Sequence, residues 1–410
     1  MKIAIMGCGT VGAGVFDIIQ HSPYVLGRGA AGKKISVKYV LDIKEFKDPE
    51  ISALQIRDVD IIANDPEVEL VVETMGGLHP AFDFCMKCLE KGKSVVTSNK
   101  LLVAAKGLEL FAAAKAHNAA FRFGASVCGG IPVIRTLFYG MAANELEGFV
   151  GILNGTSNFV LTKMFRDHLS FEDALKQAQE KGYAEKDPTD DIEGFDAARK
   201  TAILCSVCFG RHVYPEQIHT EGISAITQAD AAYAGTLNSK IKLLGFAGRL
   251  PYGQIAAGVA PAMIACDNPV AGVDGVLNAV RLFGNKVNEI MLTGPGAGRE
   301  ATASAVVADI LDCARTPGFD PAYYWDREAS DCVHYLEQDY VTFYVRGTAE
   351  NKESVFGRIQ RSIPGSRLLT RENAPENELA FITGYQWYGV LCEQLEHIEG
   401  FELAVKIRMA

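Results

Sequence analysis

Apolar and polar positions along the chain follow two periods, and the switch from one to the other marks its elements. Residues 2–6 form a short apolar strand, and the run Ala13-Gly-Val-Phe-Asp-Ile-Ile reads as a helix. A second strand over 35–41 ends at Asp42, after a Gly- and Ala-rich linker over 21–34. Short apolar runs at 61–63, 70–74 and 94–97, bounded by turn residues, read as strands. Helical patterns over 81–91 and 104–117 alternate with them, and another strand follows at 119–123. Strands alternating with helices predict a parallel sheet with right-handed crossovers. Ligands of such sheets lie at the carboxyl ends of the strands. Glu73-Thr-Met-Gly-Gly and Thr97-Ser-Asn-Lys100 both fall at such ends.

The pattern then changes. Residues 125–132 are glycine-rich and read as a crossover. Residues 145–160 read as a strand, a turn at Asn154-Gly155-Thr156 and a helix onset, and 161–181 as helical. From 222 to 290 helices mix with strand-like runs. A second glycine cluster, Gly294-Pro-Gly-Ala-Gly298, precedes an amphipathic helix over 301–314, and 316–331 reads as a connection. The tail reads strand (339–345), helix (351–362), strand (366–370), strand (379–383), helix (387–396), strand (401–407), the ferredoxin-like order.

Composition narrows the class. The 410 residues suffice for two or three domains, and 48% hydrophobic with 22% charged suits a chain with a substantial core. A net charge of -10 argues against nucleic acid as the main partner. No signal peptide and no membrane-length apolar run are read, which points to the cytoplasm. The two Cys-x-x-Cys spacings, Cys85/Cys88 and Cys205/Cys208, fall inside predicted helices at core-facing spacing, so core packing is expected ahead of metal or redox use. His212 and His219 are not spaced as a helical metal pair and are read as structural or surface residues.

Two stretches carry chemistry. Gly7-Cys-Gly-Thr-Val-Gly12 stands between a strand and a helix, the context the dinucleotide fingerprint requires. Gly7 allows the tight turn, Gly9 lets backbone approach a pyrophosphate, and Gly12 lets helix and strand pack. Asp42 stands where the fold often presents a carboxylate to a ribose hydroxyl, which favours NAD, although Lys44 is near enough to meet a 2′-phosphate. Lys100 opens a helix, a poor place for a cation without a purpose.

The other stretch is 182–200. It begins as a loop, broken by Gly182, Pro188 and Gly194, and ends in a helix on which Asp196, Lys200, Ile203 and Val207 share one stripe. The apolar lower half faces a core, so Asp196 and Lys200 point inward. An inward lysine is costly unless paired, and its proton affinity is then easily tuned. With Glu185, Asp190 and Asp191 on the loop, this is either a site for an ammonium-bearing substrate and a proton, or a structural ion pair under a solvated acidic loop.

These motifs together resemble homoserine dehydrogenase, over most of the chain. The resemblance rests on Gly-Cys-Gly-Thr-Val-Gly, on Val-Val-Thr-Ser-Asn-Lys ending at Lys100, and on Gly-Ile-Leu-Asn-Gly-Thr-Ser-Asn from Gly151. It rests above all on Gly-Tyr-Ala-Glu-x-Asp-Pro-Thr-x-Asp leading to Asp196 and Lys200, and on Gly-Pro-Gly-Ala-Gly from Gly294. It implies reversible hydride transfer between L-homoserine and L-aspartate 4-semialdehyde with NAD or NADP, in the threonine and methionine branch of biosynthesis. Lys200 would give the proton to the carbonyl oxygen. Asp196 and Asp190 would line the site and hold that lysine, and Glu185 would bind the substrate amino group. Lys100 would serve where nicotinamide and substrate meet. Gly7, Gly9, Thr10, Val11, Gly12, Asp42, Ser98, Lys100 and Gly296 would bind the cofactor.

The implied fold is α/β: a Rossmann-type domain over 1–133, completed by 293–320. An α+β substrate and dimerisation domain over 134–292 follows, then a ferredoxin-like, ACT-like domain over 338–410. A homodimer or homotetramer is implied. Three departures stand out. Relatives usually place a carboxylate where this chain has Gly124; in them it helps bind sodium or another monovalent cation with carbonyls that map to Val127, Gly129 and Ile131. Leu41 replaces an arginine suited to a 2′-phosphate, a further tilt to NAD. The tail has Gly347-Thr-Ala-Glu where relatives carry Pro-Gly, which sets effector binding, of threonine for example, against a purely packing role. The competing readings are a dehydrogenase of another amino acid on the same scaffold and a non-catalytic nucleotide sensor.

Overall fold

Strand β1 (Lys2–Met6) is apolar because it lies inside a sheet covered on both faces: Ile3, Ala4, Ile5 and Met6 are each 0% exposed. In the computed structural model, which describes residues 1–22, 32–325, 327, 332–334 and 339–410, β1 pairs in parallel with β2 (Ser36–Leu41) and β4 (Val68–Glu73). With β3 (Gln55–Ile56), β5 (Ser94–Thr97) and β6 (Phe121–Arg122) they form a six-stranded parallel sheet ordered β3-β2-β1-β4-β5-β6. Strand order reverses between β1 and β4, so their carboxyl ends open the crevice of a doubly wound fold. The linker expected over 21–34 and the connection over 316–331 lie partly outside the described residues.

The chain divides into two compact units, one of Met1–Glu147, Ala202–Pro215 and Phe283–Ser330, the other of Gly148–Thr201, Glu216–Leu282 and Asp331–Ala410. In the first, helix α1 (Thr10–His21) packs Val15, Phe16 and Ile19 onto the sheet. The helix Arg299–Arg315 brings Ala303, Val306, Val307 and Ile310 to the same core. Each large apolar side chain so buried contributes about 1.5–3 kcal/mol. The close approach of the two helices needs Gly14, where a Cβ would stand 2.9 Å from Ala303 Cβ.

Two local expectations are corrected and one is refined. The run Ile61-Ile-Ala is helix (Val59–Asn64), not strand, because the Asp58 carboxylate accepts from the Asp60 amide and caps a turn there. The helix patterned over 104–117 begins at Lys100, as read for that lysine, since Asn99 Oδ1 accepts from the Leu102 amide at 3.1 Å. The first tail strand is two pieces, Tyr340–Val341 paired with Gln386–Trp387, and Phe343–Thr348 in the main sheet.

The second unit is built on a long antiparallel hairpin, Ser239–Arg249 against Ile255–Ala265. Gly148 to Gly151 pair with Gly248 to Gly245 along its other side, where glycine is required: a Cβ on Gly148 would meet the Ala247 carbonyl at 2.2 Å. The tail, expected as a domain of its own over 338–410, belongs to this unit. Its strand Glu402–Met409 joins the hairpin in parallel at Ala262↔Arg408 and Met263↔Met409. The tail strands lie in the order Glu402–Met409, Phe343–Thr348, Glu378–Ile382, Arg367–Leu369, with helices Lys352–Ser362 and Tyr388–Glu396 between them in sequence. That is the ferredoxin-like β-α-β-β-α-β arrangement. Fully buried Asp230 ties tail to hairpin layer, accepting from Tyr344 Oη (2.8 Å), Arg346 Nε (2.7 Å) and Arg346 Nη2 (2.9 Å).

Candidate functional site

At the carboxyl end of β1 the glycine turn is closed by its neighbours. Gly7 has φ +88°, and a Cβ there would stand 2.7 Å from the Met75 backbone. On Gly12 a Cβ would stand 2.1 Å from the Gly7 carbonyl, so strand and helix could not approach. Nothing lies within 4 Å of the Cβ position of Gly9, and Gly9 and Thr10 are exposed at the helix start, with Val11 half-buried. Open space in front of unpaired helix amides is where a phosphate binds. Asp42 Oδ2 accepts from the Cys8 amide at 2.8 Å and Oδ1 from the Lys44 amide at 2.9 Å, so its carboxylate sits against the turn. Burial and the Asp42 carboxylate push the Cys8 thiol up to about 11.

At the ends of β4 and β5, Ser98 is half-buried and Lys100 is the first residue of its helix, also half-buried. Gly296 belongs to the loop that precedes the helix Arg299–Arg315, and its carbonyl lies 2.6 Å from the Cβ position of Gly129. Gly129 (φ +44°) and Cys128 (φ +56°) are both left-handed, and the Gly130 amide donates to the Pro295 carbonyl at 3.2 Å. The two glycine-rich loops are therefore one backbone-to-backbone contact.

The fit of a cation to this loop turns on Gly124. Its amide donates to Asp309 Oδ2 at 2.7 Å, and a Cβ there would stand 2.8 Å from Asp309 Oδ1. The buried Asp309 carboxyl thus occupies the room a side chain at 124 would need. The Ile131 carbonyl already accepts from the Val133 amide at 2.7 Å. Among the described residues no group of three or more His, Cys, Asp or Glu could hold a metal ion. The set Val127, Gly129 and Ile131 lacks the anionic member a hard cation wants, and no step is assigned to one.

Asp196 and Lys200 of the second unit, and Ile203 and Val207 further along the same helix Phe195–Phe209, are all buried, as their spacing predicts. Lys200 Nζ donates to Asp196 Oδ2 at 2.7 Å and to the Leu153 carbonyl at 2.7 Å. Asn154 Nδ2 donates to Asp196 Oδ2 at 2.9 Å and to Asp191 Oδ1 at 2.6 Å. The Asn154 amide cannot be turned round, because its Oδ1 accepts from the Ser157 amide at 2.8 Å and caps the helix Gly155–Arg166. Burial raises the Asp191 carboxyl above the usual carboxylate range, and the Asp196 charge adds to this against the Asn154 hydrogen bond. Among these three ionisable groups, two carboxylates face one ammonium.

Asp190, expected to hold the lysine, is displaced from this cluster. It lies on the exposed side of the short helix Thr189–Ile192 and takes two bonds from Arg199, at 2.6 and 3.2 Å. Adjacent helical residues differ by about 100° in direction, so Asp191 points inward in its place. Glu185 is exposed on the loop, where its carbonyl accepts from Gln179 Nε2 at 3.1 Å. Sequence reasoning missed Asn154 as a site residue. Its signal was the Asn-Gly-Thr turn after a strand, a helix cap with an amide to spare.

Cys85, Cys88, Cys205 and Cys208 are buried within helices, and burial pushes the thiols of Cys85 and Cys205 well up and that of Cys88 to about 12. His212 is buried with its Nδ1 accepting from Trp325 Nε1 at 3.0 Å, while His219 is exposed and pairs with Glu221.

The fold and these groups define a nicotinamide-nucleotide-dependent oxidoreductase. Residues 7–124 match the family model "Homoserine dehydrogenase, NAD binding domain", and 132–311 match "Homoserine dehydrogenase". The homoserine dehydrogenase of Pseudomonas aeruginosa is 38% identical over 367 residues, 88% of this chain and 84% of that one. A crystal structure of a homoserine dehydrogenase from Thiobacillus denitrificans superposes with TM-score 0.92 at 35% identity, covering 100% of this chain and 98% of that one. A hyperthermophilic archaeal homoserine dehydrogenase in complex with NADPH matches 78% of this chain and 99% of that one, with TM-score 0.65 and 28% identity. The chain belongs to the homoserine dehydrogenase family. Among the described residues no helix is long and apolar enough to cross a membrane.

Proposed function

We propose that Lys200 is the proton donor in the reduction of L-aspartate 4-semialdehyde to L-homoserine, and the proton acceptor in the reverse reaction. Adding hydride to an aldehyde leaves charge on its oxygen, which a positioned acid removes. The nicotinamide supplies the hydride when bound. The observation that carries the assignment is the Lys200 ammonium, buried and held by Asp196 and the Leu153 carbonyl. Asp196 orients it, and Asn154 orients Asp196. Asp191 and Glu185 receive the substrate ammonium, which compensates the negative charge left in excess by Asp191, Asp196 and Lys200. Lys100 serves the carboxylate of the substrate beside the cofactor, bound through Gly7, Gly9, Thr10, Val11, Gly12, Asp42, Ser98 and Gly296.

NAD is the preferred cofactor on the strength of the Asp42 carboxylate, which would repel a 2′-phosphate. The cation is left out of the scheme. We read the enzyme as a cytoplasmic homodimer or homotetramer, with the tail as an ACT-like packing module; sedimentation with and without threonine tests both. The roles are tested by comparing Asp196→Asn with Asp190→Asn in the oxidation of L-homoserine. The first is expected to lose about 100-fold or more in kcat, within the range of acid–base assistance, the second to stay near wild type. Equal losses would overturn the assignment.

A further inference from the structure

We propose that Glu73 is a positioning residue for the nucleotide end of the reaction, binding three crevice loops into one body and fixing where the helix that carries Lys100 begins. This rests on the reading of Lys100 given above.

Glu73 ends β4, in register with Met6 of β1 and Thr97 of β5, at the point where strand order reverses. It is 0% exposed. Its Oε1 accepts from the amides of Met75 (2.8 Å) and Gly76 (3.2 Å), and its Oε2 from Thr97 Oγ1 (2.5 Å). From there the bonds run in both directions. The Met75 backbone is the wall against which Gly7 must lack a side chain, and Thr74 Oγ1 donates to the Gly7 carbonyl at 2.5 Å. Thr97 Oγ1 in turn accepts from the Asn99 amide at 2.9 Å. Asn99 Nδ2 donates back to the Gly77 carbonyl at 2.6 Å, while its Oδ1 caps the helix that starts at Lys100. Glycine turn, β4 loop and β5 loop are thereby one hydrogen-bonded network with Glu73 at its root.

The chemistry of the group argues for this role. Three neutral donors converge on two oxygens, a pattern that suits an ionised carboxylate accepting at both. Burial raises its proton affinity against those donors, so the charge is held at a cost, and a buried charge of this kind calls for a reason. Its place, at the ligand-binding edge of the sheet, supplies one. A glutamine would keep an oxygen for Met75 and Gly76 but turn an NH2 toward Thr97, whose hydroxyl would then have two donors and no acceptor. Glu73→Gln therefore weakens the arm that leads to Lys100, by leaving the Thr97 hydroxyl proton without an acceptor, and spares the arm that leads to Gly7. Glu73→Ala cuts both.

The full-length enzyme with Glu73→Gln, Glu73→Ala, Lys100→Ala and the double variant Glu73→Gln/Lys100→Ala tests this, with NADH affinity read by fluorescence titration and homoserine oxidation by steady-state rates. Glu73→Gln is expected to lower kcat/KM for homoserine about 10-fold (about 1.4 kcal/mol) with NADH affinity within about threefold. Glu73→Ala is expected to weaken NADH binding about 10-fold as well. If Glu73 acts through Lys100, the double variant is no worse than Lys100→Ala, because coupled changes do not add. Wild-type rates and affinity in Glu73→Gln, or fully additive losses in the double variant, overturn the proposal. Should Lys100→Ala alone behave as wild type, the reading of Lys100 fails, and the NADH affinity of Glu73→Ala still decides for or against Glu73.

Discussion

Asn154 Nδ2 lies 2.9 Å from Asp196 Oδ2, the same carboxylate oxygen that takes the Lys200 ammonium at 2.7 Å. One neutral amide therefore sets the orientation of the acid that sets the orientation of the lysine. It also keeps Asp191 beside Asp196, where two carboxylates would otherwise repel.

Replacing that amide by a carboxylate tests the electrostatics directly. Asn154→Asp keeps a helix-capping oxygen but adds negative charge to the cluster. More negative charge favours the protonated lysine, so Lys200 becomes a usable base only at higher pH. The acid limb of the kcat profile for homoserine oxidation is expected to move to higher pH, with a loss of rate near neutrality. Asn154→Ser also caps the helix and should lose rate without that shift. A profile in Asn154→Asp superposable on wild type would remove Asn154 from the mechanism.

In the proposed scheme, cofactor choice turns on Asp42. Its oxygens accept from the amides of Cys8 and Lys44, which hold the carboxylate against the glycine turn, where the proposed scheme puts the adenosine ribose. NADH is expected to give the higher kcat/KM. Asp42→Ser should narrow the difference by tenfold or more, about 1.4 kcal/mol, by removing a repulsion against the 2′-phosphate. A tenfold better kcat/KM with NADPH in the unaltered enzyme would contradict the argument.

Asp309 gives a stability prediction with a definite sign. Burial raises its carboxyl from 3.8 to about 6, against the Gly124 amide and the charges of Arg135 and Arg122. A group with a raised native pKa contributes stability fully present below its unfolded value, and lost as pH rises through the native one. The wild type should therefore lose stability relative to Asp309→Asn between about pH 4 and pH 6, by on the order of 3 kcal/mol, and the difference should be flat above. Urea unfolding of both proteins across that range measures it; parallel curves would refute the assignment.

The tail offers a test by stability alone. Arg346 is the cationic partner of a carboxylate with no exposure. Arg346→Ala leaves the buried Asp230 carboxylate with Tyr344 and Thr227 as hydrogen-bond donors but without its cation, at a cost of about 3–5 kcal/mol. NADH affinity should be unchanged, since these residues and the glycine turn belong to different compact units. A lowered midpoint with intact NADH binding is expected; a variant as stable as wild type would refute the role of the pair.

Sequence pattern gave away most of the first unit because its signals are local. A glycine turn between strand and helix, and strands buried on both faces, are legible from neighbours alone. It failed where three apolar residues were too few to choose a period, at Ile61 to Ala63. In the site, Asp196 and Lys200 were legible because helical spacing puts them one turn apart. Asp190 and Asp191 were not separable, since adjacent acids in a loop carry no facing until the short helix Thr189–Ile192 is known. Glu73 and Asp309 were invisible as partners, since their contacts with Thr97 and Gly124 bridge segments far apart in sequence.

The most direct test of the account is single-turnover hydride transfer from L-homoserine to NAD by Lys200→Ala, measured beside its NADH affinity. Removing the proton acceptor should slow the transfer by about 10²–10⁴-fold while NADH binds as in the wild type. Transfer within about threefold of wild type would contradict the assignment of Lys200 as the group that exchanges a proton with the substrate oxygen.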